Sequence, residues 1–400
     1  MTTCDAVVIG GGPAGATAAL LLARKGWSVV LLERKQFPRP KVCGEYLSGT
    51  NWRLLEALGV RDAFAQLAGP EVRDVGLFIG KTTLTSPLPR PVDSRDGWGR
   101  ALSRERLDAL LLNNAAAAGV DVRAEHCVRS ITGHEDGFHC SADFVPSGRI
   151  AELRSTIVIA AHGSWNSGSL ATQPPRIIPR PGDLFGFKTH FVDSGLPPTL
   201  MPLLSFPNGY GGMVHCDGGR VSLSCCIRRD QLERLDRGVS HSAGQAVLNH
   251  IVETCPAVRP VLDGASIEGG WLSAGPIRPG IRLRYRDRGI FVVGNAAGEA
   301  HPVVAEGISM AMQGAWLLAR TLTPAHGQLH LPAVRDEAGR RYSSAWRRHF
   351  AQRIRCAEAV AQWAMRPNVV AATLPVVRCF PKLLTLGARL CGKSAQVVAR

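Results

Sequence analysis

The chain opens on Ala6-Val7-Val8-Ile9, a short apolar run that reads as a strand buried on both faces. Ala16 to Lys25 follows as a helix rich in alanine and leucine, stopped by Gly26, and Val29 to Leu32 reads as a second buried strand. The same alternation returns later. Leu107 to Ala118 predicts an apolar-faced helix, Gly119 to Val122 the start of a strand, and Ser155 to Ala160 another buried strand. Gly289 to Val293 predicts one more, breaking into a turn of small residues before a helix over Ser309 to Arg320. Strands and helices in this order predict an α/β layer structure. Residues 75–97 and 169–280 differ. They are richer in Pro, Gly and Ser and carry strand-length runs such as Val221 to Ile227, which predicts a mostly antiparallel sheet. Beyond residue 330 the pattern turns helical, with Ala345 to Met365 at helical spacing. Pro367, Pro375 and Pro381 are expected to break the remainder into short amphipathic pieces around Val376-Val377, Leu383-Leu384 and Leu386.

The junction after the first strand carries chemistry. Gly10-Gly11-Gly12-Pro13-Ala14-Gly15 satisfies G-x-G-x-x-G between a strand and a helix, and Glu33 lies about 20 residues on. Gly10 permits the tight turn, Gly12 lets the backbone approach a pyrophosphate, and Gly15 lets helix and strand pack closely. Pro13 and Ala14 open a helix whose N-terminus offers free N–H groups and a positive dipole end. Glu33, with Arg34 beside it, is placed to meet the adenosine ribose. The fingerprint alone does not choose between nicotinamide and flavin dinucleotides. The late turn, Gly294-Asn295-Ala296-Ala297-Gly298, with Gly307-Ile308 at the next helix start, allows close approach to a flat ring. One cofactor gripped by both ends of the chain is the expectation. Phe206 to Met213 includes Asn208-Gly209, a turn signal, and Tyr210 among glycines. Either Tyr210 lines the substrate side of a flat ring, or this is a plain hairpin with an exposed tyrosine.

Composition narrows the class. The chain has 400 residues, 45% hydrophobic and 20% charged, an ordinary globular balance with room for two or three core-forming units. No apolar stretch reaches the ~18 residues of a spanning helix, and no basic leader precedes the N-terminal apolar run. The eleven cysteines have neither paired-framework nor metal-ligand spacing, and no metal is expected. Reduced thiols in a cytoplasmic protein are expected. The net charge of +15 is concentrated in residues 341–400, which hold eleven Lys/Arg and one acid, Glu358. That tail is either a solvated helical face or a surface for an anionic membrane or an acidic protein. Nucleic acid is not expected, because no recognition motif accompanies the charge.

Together the two glycine turns resemble those of the flavoprotein superfamily of aromatic hydroxylases, geranylgeranyl reductases and flavin-dependent halogenases. Gly294-Asn295-Ala296-Ala297-Gly298, Pro302 and Ala305-Glu306-Gly307-Ile308 are similar to that family's Gly-Asp-Ala-Ala-Gly, proline and Gly-Glu-Gly-Ile. Pro40 to Glu45 is similar to the P-x-x-K-x-C-G-G stretch of the reductases, and Arg104 to Asp108 to the family's R-x-x-L-D segment. The resemblance covers residues 1 to about 320. It implies a Rossmann-type FAD-binding domain over 1–74, 98–168 and 281–330, and an inserted β substrate domain over 75–97 and 169–280. A basic C-terminal helical region, 331–400, completes the chain. Arg104 joins the cofactor-binding residues by this resemblance. Two positions depart from the family pattern: Asn295 stands for its aspartate, and Ala161-His162-Gly163 for its Ala-Asp-Gly. The latter leaves the electron donor open between NAD(P)H and a partner reductase.

The resemblance implies a flavin enzyme, and three reactions compete for it. The expectation is a monooxygenase hydroxylating a bulky polyketide-, aromatic- or quinone-like molecule, free or tethered to a carrier protein. The runner-up is reduction of isoprenoid double bonds. A halogenase, which needs a lysine such as Lys41, comes after both, because the W-x-W-x-I-P motif is absent. A flavin-fold binding protein without redox activity stays open as a non-enzyme reading. Cys43, flanked by Lys41 and Glu45, is a candidate proton donor near the ring, or a cysteine that only packs there. A membrane association through the basic tail is a further expectation.

Overall fold

The computed structural model describes residues 1–89, 97–164, 168–173, 178–235, 242–283, 289–380, 382–393 and 397. Pro381, Arg400 and the 90–96 stretch lie outside them.

Strand Thr2–Ile9 sits at the centre of a seven-stranded sheet because its side chains are apolar on both faces: Ala6, Val7 and Val8 are fully buried. It pairs in parallel with Val29–Leu32 on one side and with the second half of Arg149–Ala160 on the other. Asp121–Arg123 and Ile290–Val292 extend the parallel core at its two ends. The first half of Arg149–Ala160 pairs antiparallel with Gly137–Phe144, which pairs with His126–His134. In this register Ile9 lies beside Leu32 and Ala160, and Ala160 beside Val292. Four strands therefore end at one level, and their connecting turns open on one edge of the sheet, where ligands of such sheets bind.

Helix Pro13–Ala23 is apolar all round, so it is sandwiched rather than laid on the surface. Its neighbour is helix Gly307–Leu322, two residues longer at each end than the sequence pattern predicts. Helix Arg104–Ala117 packs on its other side. Close packing needs missing side chains. A Cβ on Gly15 would sit 1.9 Å from the Gly10 carbonyl oxygen. One on Gly298 would sit 2.5 Å from the ring of Trp346, a buried residue of the 33-residue helix Pro332–Ala364.

The second sheet also has seven strands, and it takes them from two parts of the chain. Asp74–Ile79 and Thr82–Pro87 join Leu184–Val192, Leu200–Phe206, Gly209–His215, Val221–Arg228 and Ser266–Ile277. All pairings are antiparallel except Leu200–Phe206 with Asp74–Ile79. Alternation along the strands separates two apolar faces. Leu204, Phe206, Met213, Leu223 and Cys225 pack with helix Ala243–Thr254, whereas Tyr210, Cys226 and Ile277 pack on the other side with Ala361 and Met365. The adjacent Cys225 and Cys226 thus face opposite ways. None of the eleven cysteines is paired.

The C-terminal region departs from the sequence expectation. Pro375 does not break the chain but sits inside helix Pro367–Cys379. Pro367 starts that helix, where its missing N–H costs nothing. The basic run is not all solvated either, for Arg353 is buried and hydrogen-bonded to Gln313 Oε1 at 3.1 Å.

The Gly15 contact generates a test. Gly15→Ala is expected to destabilise the protein by about 2 kcal/mol or more through overpacking, read as a lower thermal unfolding midpoint. Gly133→Ala, whose added methyl meets only Phe138 at 3.8 Å, is expected to stay within about 0.5 kcal/mol of the parent.

Candidate functional site

The turns at the carboxyl ends of the parallel strands line a cavity of about 580 Å³, within the usual size range of a small-molecule or cofactor site. Gly10, with φ +106°, makes the first turn, and a Cβ there would meet the Ala161 carbonyl oxygen at 2.7 Å. At Gly12 the space is open: the only atom a Cβ would approach is Arg104 Nη2, at 3.8 Å. Pro13 and Ala14 line the cavity at the helix start, where the first-turn amides lack intrahelical acceptors. Gly15 does not line it; its role is packing.

The late turn meets the early one directly. Gly294, with φ +62°, comes so close that a Cβ on it would lie 2.8 Å from Ala14 Cβ. Gly294, Asn295, Gly307 and Ile308 all line the same cavity, whereas Ala297 is buried behind it, its N–H bonded to the Gly294 carbonyl at 3.0 Å. Gly307 starts a 16-residue helix and has no neighbour that a Cβ would touch. Two open glycine cradles, each at a helix N-terminus, thus face one slot. An elongated group with a pyrophosphate and a flat polar ring fits this donor set.

Glu33 and Arg34 lie toward the other end with Lys35, His126 and Gln173. Glu33 also has a local task. One carboxylate oxygen accepts from Gly11 N–H at 2.8 Å and the other from Lys35 N–H at 3.0 Å, so the acid clamps the glycine turn. Arg104 is held by a bidentate pair with Asp108 at 2.8 and 2.7 Å, which accounts for both ends of the R-x-x-L-D segment.

The two departures from the family pattern are each accommodated. The Asn295 amide donates to Glu299 Oε1 at 2.9 Å, and the other Glu299 oxygen accepts from the Ser164 hydroxyl at 2.7 Å. An aspartate at 295 would face that buried carboxylate; asparagine turns repulsion into a hydrogen bond. His162 bonds its own ends, Nδ1 with the Gly163 carbonyl at 2.8 Å and Nε2 with Thr172 Oγ1 at 3.0 Å. Burial lowers its pKa, which favours the neutral ring.

The Lys41 to Glu45 loop forms another part of the wall, with Lys41 and Cys43 lining the cavity. Burial, with Arg104 and Arg39 nearby, brings the Lys41 pKa down to about 8. Glu45 is almost fully buried in left-handed backbone, φ +62°. Its carboxylate accepts from the Lys188 ammonium, from His190 Nε2 at 2.8 Å and from Arg104 N–H at 3.1 Å. Burial pushes this acid up, but the His190 hydrogen bond and the Lys188 charge outweigh it and bring the pKa to about 2. Cys216 lies close enough to complete a Glu-His-Cys cluster, yet Lys188 already brings a positive charge to the same carboxylate. The cluster ties the Cys43 loop to the second sheet. Sequence reasoning missed Lys188, His190 and His301, whose partners lie 143, 145 and 91 residues away, and Glu299, which joins Ser164 from 135 residues away to its near neighbour Asn295.

The second sheet closes the cavity with Met201, Leu203, Tyr210, Met213, Val214, Cys226 and Ile277. Tyr210 is buried, not an exposed hairpin residue, and its hydroxyl lies 3.1 Å from His301 Nδ1. Burial lowers His301 to about 4 and raises Tyr210 well above its ordinary value, so both are neutral at pH 7.

Two tests follow from these contacts. Glu45 has a folded pKa below the ordinary ~4.3 of a glutamate. It therefore stabilises the fold above about pH 4.3, and that contribution is lost as pH falls toward 2. Glu45→Gln is expected to cost about 3–5 kcal/mol in denaturant unfolding at pH 7, because Lys188 is left without its carboxylate. The double variant Glu45→Gly, Lys188→Met is expected to recover most of it, since no lone charge stays buried and glycine suits the backbone. For the cofactor end, Asn295→Asp is expected to lose bound FAD as pH rises from 6 to 8, measured by flavin absorbance after gel filtration, while the parent retains it.

The geometry agrees with what the chain is similar to. It is 27% identical over 384 residues to a digeranylgeranylglycerophospholipid reductase of Methanopyrus kandleri, covering 90% of each chain. Among solved structures it resembles the myxobacterial chondrochloren halogenase CndH, with TM-score 0.77, 22% identity and coverage of 98% of this chain and 91% of that one. It also resembles Pseudomonas aeruginosa PqsL, solved with 2-aminobenzoylacetate, with TM-score 0.70, 18% identity and coverage of 94% and 100%. The family model described as an FAD binding domain matches residues 3–329, and the chain belongs to that family, as an FAD-dependent oxidoreductase.

Proposed function

We propose that this protein is a monooxygenase that hydroxylates a bulky hydrophobic aromatic or quinone-like molecule. The observation that carries the reading is the character of the chamber wall on the second sheet. Its side chains are apolar apart from the Ser224 hydroxyl, the buried Tyr210 hydroxyl that meets His301 behind it, and thiols that burial keeps protonated. Bound in this slot and reduced by an external donor, FAD would supply the two electrons that, with two protons, let one atom of dioxygen enter the substrate and the other leave as water. The chain's own part is to hold the cofactor and shape the chamber. Gly12, Pro13 and Ala14 would take the pyrophosphate, Glu33 and Arg34 the adenosine end, and Asn295, Gly307 and Ile308 the flavin end. Met201, Leu203 and Ile277 keep water from the reacting face, and the neutral Tyr210 hydroxyl offers a hydrogen bond to a phenol or quinone oxygen.

Reduction of an unactivated double bond asks for an acid that gives up a proton to carbon. Tyr210, Cys225 and Cys226 are all shifted away from giving one up. Cys43 is the observation that favours the second reading, a reductase, because it lines the cavity inside a stretch similar to that of geranylgeranyl reductases. The digeranylgeranylglycerophospholipid reductase among the relatives supports the same alternative.

The two reactions separate by product mass. With FAD, a chemical reductant and a panel of lipophilic phenols and hydroquinones, the proposal expects one atom from isotopically labelled dioxygen in the product. Gain of two hydrogens by an isoprenoid substrate under anaerobic conditions, with no labelled oxygen taken up in air, would contradict it. Tyr210→Phe is expected to lower kcat/KM by about 10–100-fold through loss of one buried hydrogen bond, with flavin content unchanged. Cys43→Ser is expected to change it by less than about threefold, under ~1 kcal/mol of barrier.

A further inference from the structure

We infer that the two C-terminal helices form a docking surface for an anionic lipid bilayer. Helix Pro367–Cys379 and the following helix, Lys382–Ala388, are fixed to the second sheet by their inner faces. Val370 is fully buried against Leu77 and Ile79, with Leu84, Leu203, Leu374 and Leu384 packed around them. Thr385 donates its hydroxyl to the Pro87 carbonyl at 2.7 Å and lies 3.0 Å from the Ser86 hydroxyl. The outer faces are therefore presented in a set orientation.

What they present is apolar. Val369, Val376, Phe380, Leu383, Leu386 and Leu390 are between 41% and 65% exposed. They make up half of the large exposed hydrophobic residues among the described residues, gathered into 22 consecutive positions. Scattered exposed leucines need no explanation, but a gathered patch marks an interaction surface.

The charges around the patch select the occupant. Arg366, Arg378, Lys382 and Arg389 are exposed among these apolar side chains, and no Asp or Glu occurs after Glu358. Apolar side chains interleaved with cations, and carboxylates absent, are what an interfacial helix presents to acidic headgroups and the acyl layer beneath them. No single helix is long and apolar enough to cross a membrane; the two together reach that length and composition only as a sharply bent pair, and because their inner faces are packed on the second sheet they are placed to lie on the surface rather than to span it. An acidic protein partner would satisfy the arginines but leave this number of side chains such as Phe380 and Leu386 without a reason to be exposed.

The same helices border the chamber from behind. Leu203 lines the cavity and packs in the cluster with Leu374 and Leu384, and Met201, also in the lining, packs with Ala388. A docked protein would hold this wall next to the acyl layer, where a hydrophobic substrate partitions. The docking itself does not depend on whether the reaction is hydroxylation or reduction.

The experiment is co-sedimentation of the full-length, FAD-loaded protein with vesicles. One set is phosphatidylcholine alone, the other equal parts phosphatidylcholine and phosphatidylglycerol, each at low and high salt. The expected result is association with the anionic vesicles that falls as salt rises. Arg378→Gln, Lys382→Gln and Arg389→Gln together are expected to weaken it roughly a hundredfold, about fivefold per charge. Phe380→Ser with Leu386→Ser is expected to abolish it at both salt levels. All five positions are exposed, and unchanged far-ultraviolet circular dichroism and flavin content certify that the variants fold. Absence of anionic-vesicle association at low salt would overturn the inference. So would association that neither variant reduces, or a patch that the serine variant shows to mediate self-association or carrier-protein binding instead.

Discussion

Everything in the site follows from how closely two glycine turns approach each other. Gly294 comes within a methyl's reach of Ala14, and Gly15 touches the carbonyl of Gly10. A side chain on Gly294 would push the late turn off helix Pro13–Ala23, and one on Gly15 would push that helix off its own glycine turn; the N-termini of helices Pro13–Ala23 and Gly307–Leu322 both open on the cavity. A helix N-terminus favours phosphate and other anionic groups only where the backbone itself can reach them. The approach of the turns therefore brings two weak sites into one strong one, shaped for a long, doubly polar cofactor.

The second sheet makes that slot into a reaction chamber. One of its anchors is electrostatic: Glu45, from the loop that carries Cys43, reaches across to Lys188 and His190 on strand Leu184–Val192. A buried ion pair of this kind fixes geometry more than it adds stability. It holds the Cys43 loop, the chamber wall and Arg104 in one arrangement, and Glu45 keeps a left-handed backbone that glycine would adopt more easily. The Tyr210–His301 pair is neutral by burial, so this part of the wall offers a hydrogen bond without a charge.

Much of this was legible in the residues because it is local. Glycine spacing, the β-branched strands and the R-x-x-L-D segment act over a few positions, so Gly10, Gly12, Arg104, Gly294 and Gly307 all reach the cavity. The long-range partners were not legible. Glu45 reads as a flank of Cys43 until Lys188 arrives from 143 residues away, and Glu299 has no visible task until Ser164 meets it from 135 residues away; the Asn295–Glu299 bond spans only four positions but depends on a turn geometry that spacing alone does not give. Pro375 misled because proline at a helix interior is usually a break, and here the helix tolerates it with Val370 and Val377 buried on its inner face. The basic tail was visible as charge, but its division into buried Arg353 and Lys393 and exposed Arg378 and Arg389 depends on packing alone.

The central claim is that both turns hold one FAD. The direct measurement is titration of the apoprotein with FAD, followed by quenching of flavin fluorescence, in the parent and in Gly12→Val and Gly307→Val. Each substitution fills one open cradle without meeting protein atoms closer than 3.8 Å at Cβ. The account predicts one tight site in the parent and a loss of affinity of at least tenfold in each variant, about 1.4 kcal/mol. Unchanged FAD affinity in either variant would show that its cradle does not hold the cofactor and would contradict the account.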